Sequence, residues 1–162
     1  MIILKTREYI RATNLKHIRL DDLYLDLGSV VGVLDYDIKA IIDTEAPLTL
    51  NTLKARMRDV FEVAKISAKA LDIIMDRVSK LGYQLVEELY DVVIWPRDGV
   101  FKIDYLRINS DRLIYDIPKL EFKNLVNDYD LSGEELYREI LKYFNLEVLT
   151  QKARDYLEYI EK

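Results

Sequence analysis

The chain has 162 residues, half of them apolar and a third charged, with a net charge of −5. That excludes a disordered chain, and no apolar run approaches the ~20 residues of a membrane span. There is no cysteine and only one histidine, His17, so neither a disulfide framework nor a thiolate or His-rich metal site is expected.

A cytoplasmic protein is the default reading, since Met1–Leu4 is too short for a signal segment. Five glycines, two glutamines (Gln84 and Gln151) and many mixed charges match the composition of thermophile proteins. The charge is uneven. From Asp104 to the end there are thirteen acids and nine bases, whereas Lys54 to Lys80 holds seven bases and four acids.

Residues 1–33 form an N-terminal arm with no clear element. Met1 to Leu4 reads as a short strand, and Ile18 to Leu27 hints at period two. Lys5, Arg7, Arg11, Lys16 and Arg19 fit a solvated face better than an arm laid on nucleic acid. Gly28-Ser29 and Gly32 punctuate the approach to a first helix starting near Leu34, with Asp35 and Asp37 in its first turn.

Pro47 ends that helix, and Thr49 suits the N-cap of a second over Leu50–Phe61. Leu53, Met57, Val60 and Phe61 share one side of it, with Lys54 and Arg58 opposite. A third helix follows from Ser67 to Leu81, with Leu71, Ile74, Met75 and Val78 on its inner face. Gly82 stops it, and strands are expected at Tyr83–Glu87 and Tyr90–Trp95. Three helices and a hairpin in this order predict a winged helix-turn-helix over residues 34–99.

Connecting strands are expected over 100–117, at Phe101–Tyr105 and Leu113–Ile117. A second, wingless helical unit then occupies 118–162: Lys119–Asn127, Glu134–Phe144 and Thr150–Ile160, with Ser132 and Glu135 as a capping box. Leu48-Thr49-Leu50 with Leu53 parallels Leu131-Ser132 with Leu136, and Met57-Phe61 parallels Ile140-Phe144. The fold class expected is therefore α+β, mostly helical, with tandem winged-helix-like units joined by a β-hairpin.

Ile41-Ile42-Asp43-Thr44-Glu45-Ala46-Pro47-Leu48, then Leu53, Arg56 and Ile94-Trp95-Pro96, resembles the winged-helix-like C-terminal domain of superfamily-one DNA helicases. Leu131-Ser132-Gly133-Glu134-Glu135-Leu136 resembles the start of that family's second repeat. Ala46 stands where the family has glycine, and Val63-Ala64-Lys65-Ile66-Ser67 replaces its Gly/Arg-rich joint. No helicase motor accompanies these elements, so the resemblance implies a stand-alone accessory module that engages DNA or a motor beside it.

For DNA, the expected backbone contacts are Lys54, Arg58, Lys65, Lys69, Arg77, Lys80 and Arg97, with Arg56 beside them. The outward face of the third helix tempers this, because Lys69 and Lys80 alternate with Asp72 and Asp76. The competing expectation is a protein partner or a homodimer, using Tyr137, Tyr143, Tyr156 and Tyr159. No Gly-rich phosphate loop, nucleophile elbow or His-Glu-x-x-His motif appears, so neither enzyme, cofactor nor small-molecule ligand is expected. Asp35 with Asp37, and Glu87 with Glu88, read as a helix cap and a solvated turn rather than metal-binding pairs.

Overall fold

In the computed structural model, residues 6–25, 27–97, 105–122 and 131–162 are described. The chain is α+β and divides into two units. A central unit comprises Ile10–Glu87 and Asp91–Phe101, and a terminal unit Met1–Tyr9, Glu88–Tyr90 and Lys102–Lys162.

The central unit runs α1 (Gly28–Glu45), β2 (Leu48–Thr49), α2 (Leu50–Phe61), α3 (Ala68–Lys80), β3 (Gln84–Glu87) and β4 (Val92–Trp95), β1 being assigned to the terminal unit. Thr49 caps α2 as expected, and Ser67, expected as the first residue of the third helix, is instead the N-cap of α3. The Thr49 hydroxyl accepts from the Thr52 N–H at 3.2 Å, and Ser67 Oγ accepts from the Ala70 N–H at 3.1 Å. The three strands pair antiparallel in the order β2-β4-β3, with Leu85 opposite Ile94 and Val86 opposite Val93. Leu34, Ile38, Ile41, Leu53, Met57, Ile74, Val78 and Ile94 make the core beneath them.

Helix α1 begins six residues before the expected start, so Asp35 and Asp37 lie within it rather than capping it. Gly28 and Gly32 cost the helix only about 1 kcal/mol each, less than burial of its Leu34-Ile38-Ile41-Ile42 stripe returns. Asp37 has a different task. Fully buried, its carboxylate accepts from the backbone N–H groups of Lys16 (2.6 Å) and Ile18 (3.1 Å) and fixes the incoming segment. The expected strand at Met1–Leu4 lies outside the described residues. Instead of period two, Asp21–Tyr24 is a 3-10 turn with Leu23 buried.

The terminal unit holds β1 (Thr6–Glu8), β5 (Leu106–Ile108), α4 (Gly133–Lys142) and α5 (Gln151–Glu161). The first strand expected of the connecting hairpin, Phe101–Tyr105, lies outside the described residues except for Tyr105. β5 pairs in parallel with β1, Thr6 opposite Leu106, and Leu113–Ile117 is a 3-10 turn over Ile114–Asp116. Ile114 and Ile117 are both buried at a spacing of three, which a 3-10 turn satisfies and a strand does not. The expected helix at 119–127 is a 3-10 turn over Lys119–Phe122, and residues 123–130 lie outside the described residues, as do 101–104.

The capping box at Ser132 does not form. Ser132 makes no side-chain cap bond, and the Gly133 N–H donates instead to Glu161 at 2.8 Å. Thr150 does cap α5, accepting from the Ala153 N–H. Within this unit Glu121 is buried between two arginines, its carboxylate 3.0 Å from Arg107 Nη2 and 2.6 Å from Arg112 Nη1. Both guanidiniums also face the Tyr9 ring, at 4.8 and 4.4 Å from its centroid.

Candidate functional site

Two surfaces of the central unit compete for a function: the basic strip across α2 and α3, and the β3–β4 hairpin. On the strip, Lys54 and Arg58 lie half-buried one turn apart on α2, and Lys65 is exposed on the joint before α3. No ion pair holds these three among the described residues. Lys69 is exposed on α3, but its ammonium sits 4.8 Å from the centroid of the Tyr24 ring.

The other expected contacts are engaged within the chain. Arg77 forms a two-pronged pair with Asp35, Nε to Oδ1 and Nη2 to Oδ2, both at 2.8 Å. That hydrogen bonding, with the Asp35 charge, holds the Arg77 pKa above its ordinary value. Lys80 pairs with Asp76 at 2.9 Å, one turn back on α3. Arg97 lies 3.7 Å from Asp43 and over the Tyr83 ring. Arg56 is no phosphate contact at all. It is buried, and its Nε donates to Glu45 at 2.9 Å.

The hairpin has the opposite character. Between Tyr83 and Pro96 there are three acids and no base. All four residues of β3 are exposed, Leu85 at 46% and Val86 at 40%. Consecutive strand residues point to opposite faces, so both faces of β3 meet solvent. Trp95, opposite Gln84 in register, is half-buried, and its indole N–H is buried without an acceptor among the described residues.

Residues 88–90 fall in the terminal unit. Glu88 there is not the solvated turn residue expected: it is half-buried and accepts from the Lys119 N–H at 3.0 Å. Burial pushes its carboxyl up, against the Lys119 hydrogen bond. Of the four tyrosines expected at a partner surface, Tyr143 and Tyr159 are half-buried and the other two are not at the surface. Tyr137 and Tyr156 are core residues, the Tyr156 hydroxyl donating to the Ile117 carbonyl. Tyr90 instead meets Tyr115 edge-on, at 6.2 Å between ring centroids.

A cleft of about 690 Å³ in the terminal unit is lined by Asn109, Leu113, Tyr143, Leu146 and Val148, with Arg112 at its wall. Arg112 is committed to Glu121 and Ser110, so the cleft presents no unengaged charge from that side. Among the described residues no acidic or histidine cluster is placed to hold a metal, and no helix is long and apolar enough to cross a membrane. The chain matches no family model, no curated protein and no solved structure.

The exposed apolar residues of β3 were the residues that motif reading passed over. Their signal was negative: a hairpin without a single lysine or arginine between Gly82 and Pro96. A hairpin that touches phosphates needs the reverse.

Proposed function

We propose that this chain is a protein-interaction module built on a winged-helix scaffold, with the β3–β4 hairpin as the wing that meets its partner. The order α1-β2-α2-α3-β3-β4 and the three-stranded antiparallel sheet support the scaffold. On this reading helices α4 and α5 belong to the second, wingless repeat. The observation that carries the reading is the wing itself: apolar on both faces, acidic, and without a base. Such a wing is repelled by phosphate and gains by burying Leu85 and Val86 against protein.

A second reading, a DNA-associated accessory protein, rests on one observation. Lys54, Arg58 and Lys65 carry no intramolecular ion pair among the described residues, and Lys69 stands beside them in sequence at the start of α3. A fluorescence-anisotropy titration against duplex and single-stranded DNA separates the two. The protein-interaction reading predicts no saturable binding tighter than about 100 μM at 0.2 M salt, the weak end of non-specific affinity. It is overturned by micromolar binding whose salt slope falls by about two in the Lys65→Glu, Lys69→Glu double variant.

A further inference from the structure

We propose, resting on the wing as a protein interface, that the outer edge of β3 accepts an extended partner strand bearing a cationic residue followed by two apolar ones. β3 is the last strand of the sheet order β2-β4-β3, and no described residue pairs with its other side. Alternate residues of an antiparallel strand turn their N–H and C=O groups outward, so this edge offers backbone donors and acceptors in a row. Folded proteins protect such edges with charged residues, proline, bulges or short strands; the four residues Gln84-Leu85-Val86-Glu87 carry no lysine or proline, and their one charge is Glu87.

The side chains specify the occupant further. An added strand would cover Leu85 on one face and Val86 on the other, and the row of outward backbone groups suits an extended chain rather than a helix. Glu87 shares the Leu85 face and is exposed, with no base in the hairpin to neutralise it. In an antiparallel partner, read from its N-terminus, a Lys or Arg falls opposite Glu87. Apolar residues follow opposite Val86 and Leu85, and a polar residue opposite Gln84.

A second copy of this chain satisfies the pattern poorly. Antiparallel partners share a face only in registers that place like-facing residues opposite each other. With Leu85 opposite itself, Gln84 meets Val86 and Glu87 meets Tyr83. With Val86 opposite itself, Leu85 meets Glu87. Each register sets a polar or charged side chain against an apolar one.

The test is a titration of the isotope-labelled full chain with the capped peptide Ser-Lys-Val-Ile-Thr-Ser, followed by amide shifts. The expected result is saturable movement of Gln84 to Glu87, at least tenfold weaker when the peptide lysine becomes glutamate or its backbone is N-methylated. Leu85→Lys with Val86→Lys should give the same loss, and unchanged amide shifts elsewhere in the spectrum show that this variant is folded. Absence of β3 shifts at millimolar peptide overturns the proposal, as does indifference to N-methylation. If the double-lysine variant converts a dimer to a monomer by light scattering, the occupant is a second copy and the proposal is wrong. If it loses a protein partner although the peptide never binds, strand addition falls while the wing remains the interface. If it changes neither, the wing reading falls too.

Discussion

Replacing Glu121 with alanine is expected to lower the unfolding free energy by about 3–5 kcal/mol, read by urea denaturation followed by circular dichroism. The carboxylate has no exposed side-chain surface, and it is shared by Arg107 and Arg112, both nearly buried. Its loss leaves two guanidiniums in the core of the terminal unit without the anion that justifies their burial. Glu121→Gln keeps the shape and removes the charge, so it should recover little. A loss below about 1 kcal/mol, the worth of an exposed pair, would contradict the buried cluster.

The same cluster sets an acid limit. Burial alone pushes the Glu121 carboxyl up, but the Arg112 and Arg107 charges outweigh it and hold the group below the usual carboxylate range. A carboxylate depressed in the folded state adds stability above its unfolded value, about 4.3, and loses it as pH falls through the folded value. The wild-type protein should therefore lose stability progressively below about pH 4, and the Glu121→Gln variant should lack that part of the slope.

Glu45→Ala is expected to cost a further class of about 3–5 kcal/mol in the central unit. Glu45 is fully buried, takes the Arg56 Nε at 2.9 Å, and also accepts from the Ala12 N–H at 3.3 Å. Truncating it takes the carboxylate away from a buried guanidinium and from a backbone donor together. The double replacement Glu45→Met with Arg56→Met should be markedly milder, because both charges leave the core at once. Trp95 is the only tryptophan and belongs to this unit, so its fluorescence in urea reports the transition. A double variant as damaged as Glu45→Ala would show that the pair is needed for more than charge neutrality.

What could be read from the sequence follows the range of the forces involved. Thr49, the Leu53-Met57-Val60 stripe and the Gly82 stop are local signals, and α2, α3 and the hairpin lie where they predict. The start of α1 was not legible, because Gly28 and Gly32 look like breaks until the stripe they precede is buried against α2 and α3. Asp37, Glu45, Arg56 and Glu121 read as surface charges. Only their distant partners, nine to thirty-three residues away, make them core residues. Leu113–Ile117 has a strand's composition, and the spacing of its buried isoleucines decides against one.

For the site, the local excess of bases drew attention to α2 and α3, yet Arg77, Lys80 and Arg97 have acids as partners from α1 and α3. The i, i+4 spacing announces Asp76–Lys80, but no spacing rule announces the two pairs made with Asp35 and Asp43 of α1. The character of the β3–β4 hairpin was legible in principle, through residue types that are missing rather than present.

The measurement that tests the proposed hairpin interface most directly is site-specific photo-crosslinking in the source cells, with a benzophenone amino acid at position 85 in one strain and at position 69 in another. The account predicts a discrete covalent protein adduct from position 85 and none of comparable yield from position 69. Nucleic-acid adducts from position 69, with no adduct from position 85, would contradict it.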